Sequence, residues 1–287
     1  IFPANGAFVS LSQVALMDYA PDRHEQNMAR WALAGSLGQV VGPILLGLSV
    51  AVGGGWRATF IFFGFISLIL ALMVRRSSIS NGSVETEETT SFIDGLRGAL
   101  KALRRKEVVR WLLLLEFSNL MLDILLSYLA LYFVDVVRVT ETQAGIAVAI
   151  FTGVGLLGDV LLIPLLERVR GLSYLRVSAF IEFILFIAFM LVPSVWIKIV
   201  LVGLIGFFNS GWYAILQGQF YSAMPGKSGT VLALGNVGNV LGSLFPIMIG
   251  ALAEYHGLGT AMWFMLLGPI VLMIGLARIP SADAPTA

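Results

Sequence analysis

The sequence has no cysteine and only two histidines, His24 and His256. Disulfides, thiolate metal sites and cysteine nucleophiles are therefore excluded, and little is left for histidine-based metal or triad chemistry. Charge is scarce as well. Asp, Glu, Lys and Arg make up 12% of the 287 residues, about half the roughly 25% of a soluble domain. No phosphate loop is present, so nothing supports ATP as a driving ligand. The net charge of +1, with no basic run interleaved with aromatics outside one linker, gives no reason to expect nucleic acid. What the chain has in excess is apolar: 58% of residues are hydrophobic and the mean hydropathy is +0.90. Over this length, that composition defines a polytopic membrane protein. The first residue is Ile1, inside an apolar segment without signal-peptide shape, which suggests a fragmentary start.

A membrane-spanning helix needs about 20 mostly apolar residues. Nine stretches qualify as candidates, at residues 1–19, 28–51, 56–76, 109–134, 142–166, 172–193, 195–222, 228–253 and 258–279. Alternate connections hold fifteen of the 18 basic residues, and the other set holds only Arg57, Arg138 and Lys198. The basic set is expected in the cytoplasm. Ile1 then lies outside and the C-terminus inside, in a plasma or inner membrane. A domain plan follows: residues 1–76 form one bundle, 77–106 a cytoplasmic linker, 107–280 a six-helix bundle, and 281–287 a disordered tail. In the linker, Phe92, Ile93, Leu96, Leu100 and Leu103 recur at helical spacing among basic residues, which predicts an amphipathic helix on the lipid surface.

The segment at 35–47, GSLGQVVGPILLG, is apolar yet rich in the two poorest helix formers. Its Gly35, Gly38 and Gly42 recur 200 residues later as Gly235, Gly238 and Gly242. Each cluster follows a Pro-bearing loop and precedes one more helix. Both helices enter from the same side, so the repeat is parallel, as in transporters built from halves related by an axis along the membrane normal.

Gly38-x-x-x-Gly42-Pro43-x-x-x-Gly47 resembles the fifth-helix antiporter motif of the major facilitator superfamily, with Leu46 where that family has the first of two paired glycines. The context Asp18-Tyr-Ala-Pro21 before it and Gly55-Trp-Arg-Ala-Thr-Phe60 after it agrees. Glu167-Arg168 is similar to the acidic–basic pair in the family's loop after its eighth helix. The resemblance implies an all-α membrane protein with major-facilitator helical bundles, in which the nine helices correspond to helices four to twelve. Two bundles, a central cavity and rocking alternating access come with it. So does a gating role for Gly38, Gly42, Pro43 and Gly47. Phe2 stands where family antiporters often carry an Arg before Asn5-Gly6, so that arginine is not carried over.

An ionisable residue inside the bilayer is a functional candidate by default. Glu116, Asn119, Asp123 and Ser127 recur at helical spacing and predict one polar stripe. Glu116 and Asp123 are the proton-coupling candidates, because a carboxyl in apolar surroundings holds its proton to higher pH. Asn209, Tyr213, Gln217 and Tyr221 predict a second stripe, a neutral cavity wall suited to an amphipathic ligand. With Asn119, Ser127 and Asn5, residues Asn209, Tyr213 and Gln217 make up the cavity candidates. Asp159 and Glu182 are expected to pair with Arg168, Arg170 or Arg176, and Asn236 and Asn239 to serve helix packing.

The expected function is secondary transport of a small amphipathic solute, as export in exchange for protons. Uptake of a sugar or organic solute is the alternative, and a truncated, non-transporting product a further one. An aspartyl protease using Asp123 and Asp159 is disfavoured, because their depths are expected to differ and cleavage needs a shared proton. No cofactor or metal is expected. The partners are the lipid bilayer, a small-molecule substrate and protons, and the chain is expected to be a monomer.

Overall fold

The computed structural model describes residues 2–19, 23–76, 98 and 101–277. Three helices come first: α1 (Phe2–Tyr19), α2 (His24–Ala51) and α3 (Gly55–Arg76). Six more follow: α4 (Lys106–Asp135), α5 (Glu141–Leu166), α6 (Gly171–Leu191), α7 (Val195–Ser222), α8 (Ser228–His256) and α9 (Leu258–Ala277). No strand occurs among the described residues. All but α1, which has 18 residues, are long and apolar enough to cross a membrane. Most of the linker, including the apolar face of the expected surface helix up to Leu100, lies outside the described residues, as does the 281–287 tail.

Hydrocarbon offers the backbone no partner, so each spanning segment must pair its own N–H and C=O groups, and helices result. The exceptions are local and have identifiable causes. At the start of α5, Thr140 and Gln143 form a capping box, with hydrogen bonds of 3.3 and 3.2 Å. In α4 the turn Leu120–Ile124 is a π-helix, in which Ile124 N–H reaches back to Asn119 O at 3.1 Å. In α7 the ladder breaks after Asn209, and Gly211 takes φ +81 before Trp212–Ser222 resumes the helix. A residue without Cβ adopts that left-handed backbone at no steric cost.

The core lies among α4, α5, α6, α7 and α9, around Leu120, Met121, Phe133, Phe186, Phe189 and Trp212, all fully buried. The closest packing is between α5 and α7. A Cβ on Gly206 would strike the Phe151 carbonyl oxygen, and one on Gly158 would come within 2.7 Å of Phe207 O. Small residues let helix backbones approach this closely in a bilayer. Gly155 and Gly158, which loosely resemble a protease motif in sequence, serve this contact. Helix α2 packs across α5 and the second half of α7, and α1 lies against α2 and α8. Helix α3 packs on α2 and leaves Phe60, Phe62 and Phe65 exposed.

Lys198, counted in sequence among the outer connections, is buried within α7. Its ammonium donates to Tyr132 Oη at 3.0 Å and to the Phe189 carbonyl, and lies 4.8 Å from the Phe189 ring centroid. The ammonium is thereby tied to α4 and α6 without a carboxylate. Tyr132→Phe removes one acceptor from a buried charge and is expected to cost about 1–3 kcal/mol. Thermal melting of the purified variant measures it, and a melting temperature equal to the parent's would mean Lys198 reaches water.

Candidate functional site

A cavity of about 450 Å³ opens between α2, α4, α5 and α7. Asp123 enters its wall on the π turn of α4, where the extra residue per turn rotates everything that follows. That rotation splits the stripe expected from sequence. Asn119 and Asp123 line the cavity, but Ser127 is exposed and donates to the Asp123 carbonyl at 2.7 Å. Glu116, one turn before the π segment, leaves the cavity altogether. Its carboxylate sits in a slot on α8 where Gly238 and Gly242 have no side chains, and a Cβ on either glycine would collide with its oxygens. Glu116 is 7% exposed, and its Oε2 meets no hydrogen-bond partner.

The π turn has a second effect. Leu125 N–H goes to Leu120 O and Leu122 O, which leaves the Met121 carbonyl to the Asn209 amide at 2.6 Å. Asn209 is thus anchored at the break in α7, on the cavity wall, with its Oδ1 unpartnered. Tyr213 also lines the cavity, its ring 6.1 Å from that of Trp31, and its hydroxyl accepts from Gln13 at 3.2 Å. Gln217 and Tyr221 are buried and lie outside the cavity lining. The second stripe therefore contributes only its first two members.

Several lining residues escaped the sequence reading. Asp159 accepts from Ser36 Oγ at 2.5 Å and from the Gly211 N–H, which replaces the expected arginine pairing. It lines the same cavity as Asp123. Gln39 and Asn239 line it too. Glu182 is fully buried in α6 with neither oxygen hydrogen-bonded, against the expected ion pair. Asn5's side chain lies outside the described residues. Glu167 and Arg168 are exposed at the α5–α6 turn.

Toward the end of α2 that bears His24, polar contacts tie α1 and α2 to the later helices. His24 Nδ1 meets Ser222 Oγ at 2.9 Å, and Asp18 accepts from Ser228. Glu25 accepts from Gln219 at 2.5 Å and from the N–H of Gly171 at the start of α6. The carboxylate meets a helix N-terminus, where the dipole and free N–H groups favour negative charge. Gly171 and Gly218 make room for Glu25: a Cβ on Gly218 would come within 2.9 Å of its backbone. Beyond Ser36, Leu37, Ile44, Leu48 and Val50 of α2 are exposed. At Gly38, Gly42 and Gly47 an added Cβ would meet nothing within 4 Å, so no described residue packs on the face carrying the gating motif. A separate groove of about 770 Å³ runs between α4 and α9 at Leu103, Lys106, Arg110 and Ile274, away from both carboxylates.

A bundle of membrane-crossing helices around a polar cavity, tied shut at one end, is the architecture of a solute transporter. The family model described as Major Facilitator Superfamily matches residues 4–246, and the chain belongs to that family. The fold agrees: the crystal structure of an E. coli fucose:proton symporter superposes with a TM-score of 0.73, covering 93% of this chain and 72% of that one. Sequence identity is 14%, so this likeness concerns the fold. A search among proteins of curated function finds no match.

Proposed function

We propose that the chain carries out secondary active transport of a small amphipathic solute by alternating access, coupled to protons and running as export. Residues 1–76 and 107–280 act as the two moving bodies, joined by the linker. The observation that supports this most is the one-sided closure. Contacts through Asp18, His24, Glu25 and Ser36 join the two bodies along one side of the cavity, while the later part of α2 is exposed. With the basic connections inside, the closed end is cytoplasmic, and the form described is open outward. Asp123 on the cavity wall is the group placed to exchange a proton with the open side, and Glu116 is the second candidate. Uptake by symport uses the same geometry and fits the fold neighbour equally well; the Gly38–Pro43 motif favours export.

The absence of cysteine makes the test direct. Arg23→Cys and Val169→Cys, on the exposed cytoplasmic ends of α2 and the α5–α6 turn, accept a pair of spin labels in the otherwise unlabelled chain. Their distance distribution in lipid nanodiscs is expected to show a second, longer population whose share changes between mildly acidic and mildly alkaline pH. Glu25→Ala, which removes the latch, is expected to raise that longer population at every pH. A single distance that ignores both pH and the Glu25 substitution would refute alternating access about this cavity.

A further inference from the structure

Resting on the transport reading above, we propose that the cavity takes a protonated amine borne on an apolar, aromatic-sized body. Its wall carries two carboxylates, Asp123 and Asp159, and no Arg, Lys or His among the described residues. Carboxylates of one sign in a low-dielectric cleft draw cations in and keep anions out. Asp159 already holds two donors, from Ser36 and Gly211. Asp123 makes no side-chain hydrogen bond and is open to the cavity. It is the carboxylate left for an incoming ammonium.

The neutral groups point the same way. The hydroxyls of Ser36, Thr152 and Ser210 are spent as donors, to Asp159, the Val148 carbonyl and the Phe207 carbonyl. They present lone pairs to the cavity. Asn209 is 2% exposed, its amide nitrogen is fixed on Met121 O, and its Oδ1 has no partner. That oxygen is closed off from the cavity, so Asn209 shapes the wall and takes no ligand donor. Trp31, Tyr213 and Phe151 supply aromatic faces, which attract both a cation and an apolar ring. An N–H-bearing ammonium satisfies the charge, the hydroxyl lone pairs and the aromatic wall together. A quaternary ammonium satisfies only the first and last, and a carboxylate meets the like charge of Asp123 and Asp159.

The test uses four probes with one body: 4-phenylbutylamine, its N-trimethyl derivative, 4-phenylbutanol and 4-phenylbutyrate. Binding to the full chain in nanodiscs is measured by equilibrium dialysis against empty nanodiscs, with no transport required. The amine is expected to bind at least about tenfold more tightly than the alcohol, and the trimethyl derivative to fall between them. The butyrate is expected not to bind. Asp123→Asn should erase the preference of the amine over the alcohol. Equal binding of amine and alcohol, tighter binding of the butyrate, or no binding of any probe would each overturn the proposal. The comparison on the unmodified chain decides this even if a variant misfolds. None of these results bears on alternating access, which the spin-label distances test without a ligand.

Discussion

Gly206→Leu is expected to yield no folded protein, and Gly206→Ala a measurably weaker one. Helices α5 and α7 cross where Gly206 lies directly on the Phe151 carbonyl, and Gly155 faces Gly206 O from the other side. The obstructing atoms belong to backbone, so no rotamer change relieves them. A single added methyl must part the two helices along their contact, and with them Gly158 from Ser210 and Gly203 from Ile150. Overpacking of this kind costs about 1–3 kcal/mol. For a chain of this size each kcal/mol moves the melting temperature by roughly 2–4 °C. Leucine adds volume that no such adjustment accommodates. Gly153→Ala, on the same helix α5 but facing open space, is the control: a Cβ there meets nothing within 4 Å, and alanine is the better helix former. Fluorescence-detected size exclusion and melting of the three variants read the effect. Gly206→Ala melting with the parent would mean that α5 and α7 do not approach this closely.

Which features were legible in the sequence, and which were not, follows from what hydrophobic patterning encodes. Nine helical segments and their punctuation are visible because length and apolarity alone decide membrane insertion. The doubled glycine clusters are visible because glycine is rare enough inside apolar helices to stand out at a fixed spacing, although what they do is not: one makes room for Glu116 and the other meets no described residue. What patterning loses is phase. The π turn at Leu120–Ile124 adds a residue to one turn of the segment Leu-Met-Leu-Asp-Ile, whose only polar member is Asp123 itself. No apolar residue in that run marks the slip. Glu116 and Asp123 therefore look like one stripe although one faces a glycine slot and the other the cavity. The break in α7 did carry a mark, Asn209-Ser210-Gly211 in the middle of a hydrophobic segment, and reading it as a break would have separated Asn209 from Tyr213, Gln217 and Tyr221. The partner of Asp159 was not legible at all. Ser36 lies 123 residues away, and a serine among the glycines of α2 looks like one more small residue.

The same slot on α8 yields the second large effect. Gly242→Ala drives a methyl into a Glu116 carboxylate oxygen, and Gly238→Ala does so while also pressing on Leu112. Each substitution alone is expected to cost about 1–3 kcal/mol. If the cost arises from Glu116, then removing that side chain returns it. Glu116→Ala empties the slot, and the Gly242→Ala, Glu116→Ala double variant should melt above the sum of its singles, with a coupling of about 0.5–3 kcal/mol, the range for residues in direct contact. Additive melting temperatures would place the carboxylate elsewhere. Glu116→Gln separates shape from charge. It keeps the volume, and since Oε2 has no partner and an unpaired buried charge is costly, the variant is expected to fold at least as well as the parent. Applied to the spin-labelled pair at Arg23 and Val169, the same substitution divides the two coupling candidates. If the pH response of the distances survives Glu116→Gln and vanishes in Asp123→Asn, the proton is carried on the cavity wall and the α8 slot is packing. The opposite outcome would make the seam between α4 and α8 the proton site, with the glycines of the repeat shaping a seat for a carboxyl group. Gly38 and Gly42, 200 residues earlier, present the same bare face with no described residue on it, so that outcome would also assign their open surface the corresponding task of receiving a side chain from a helix packed there.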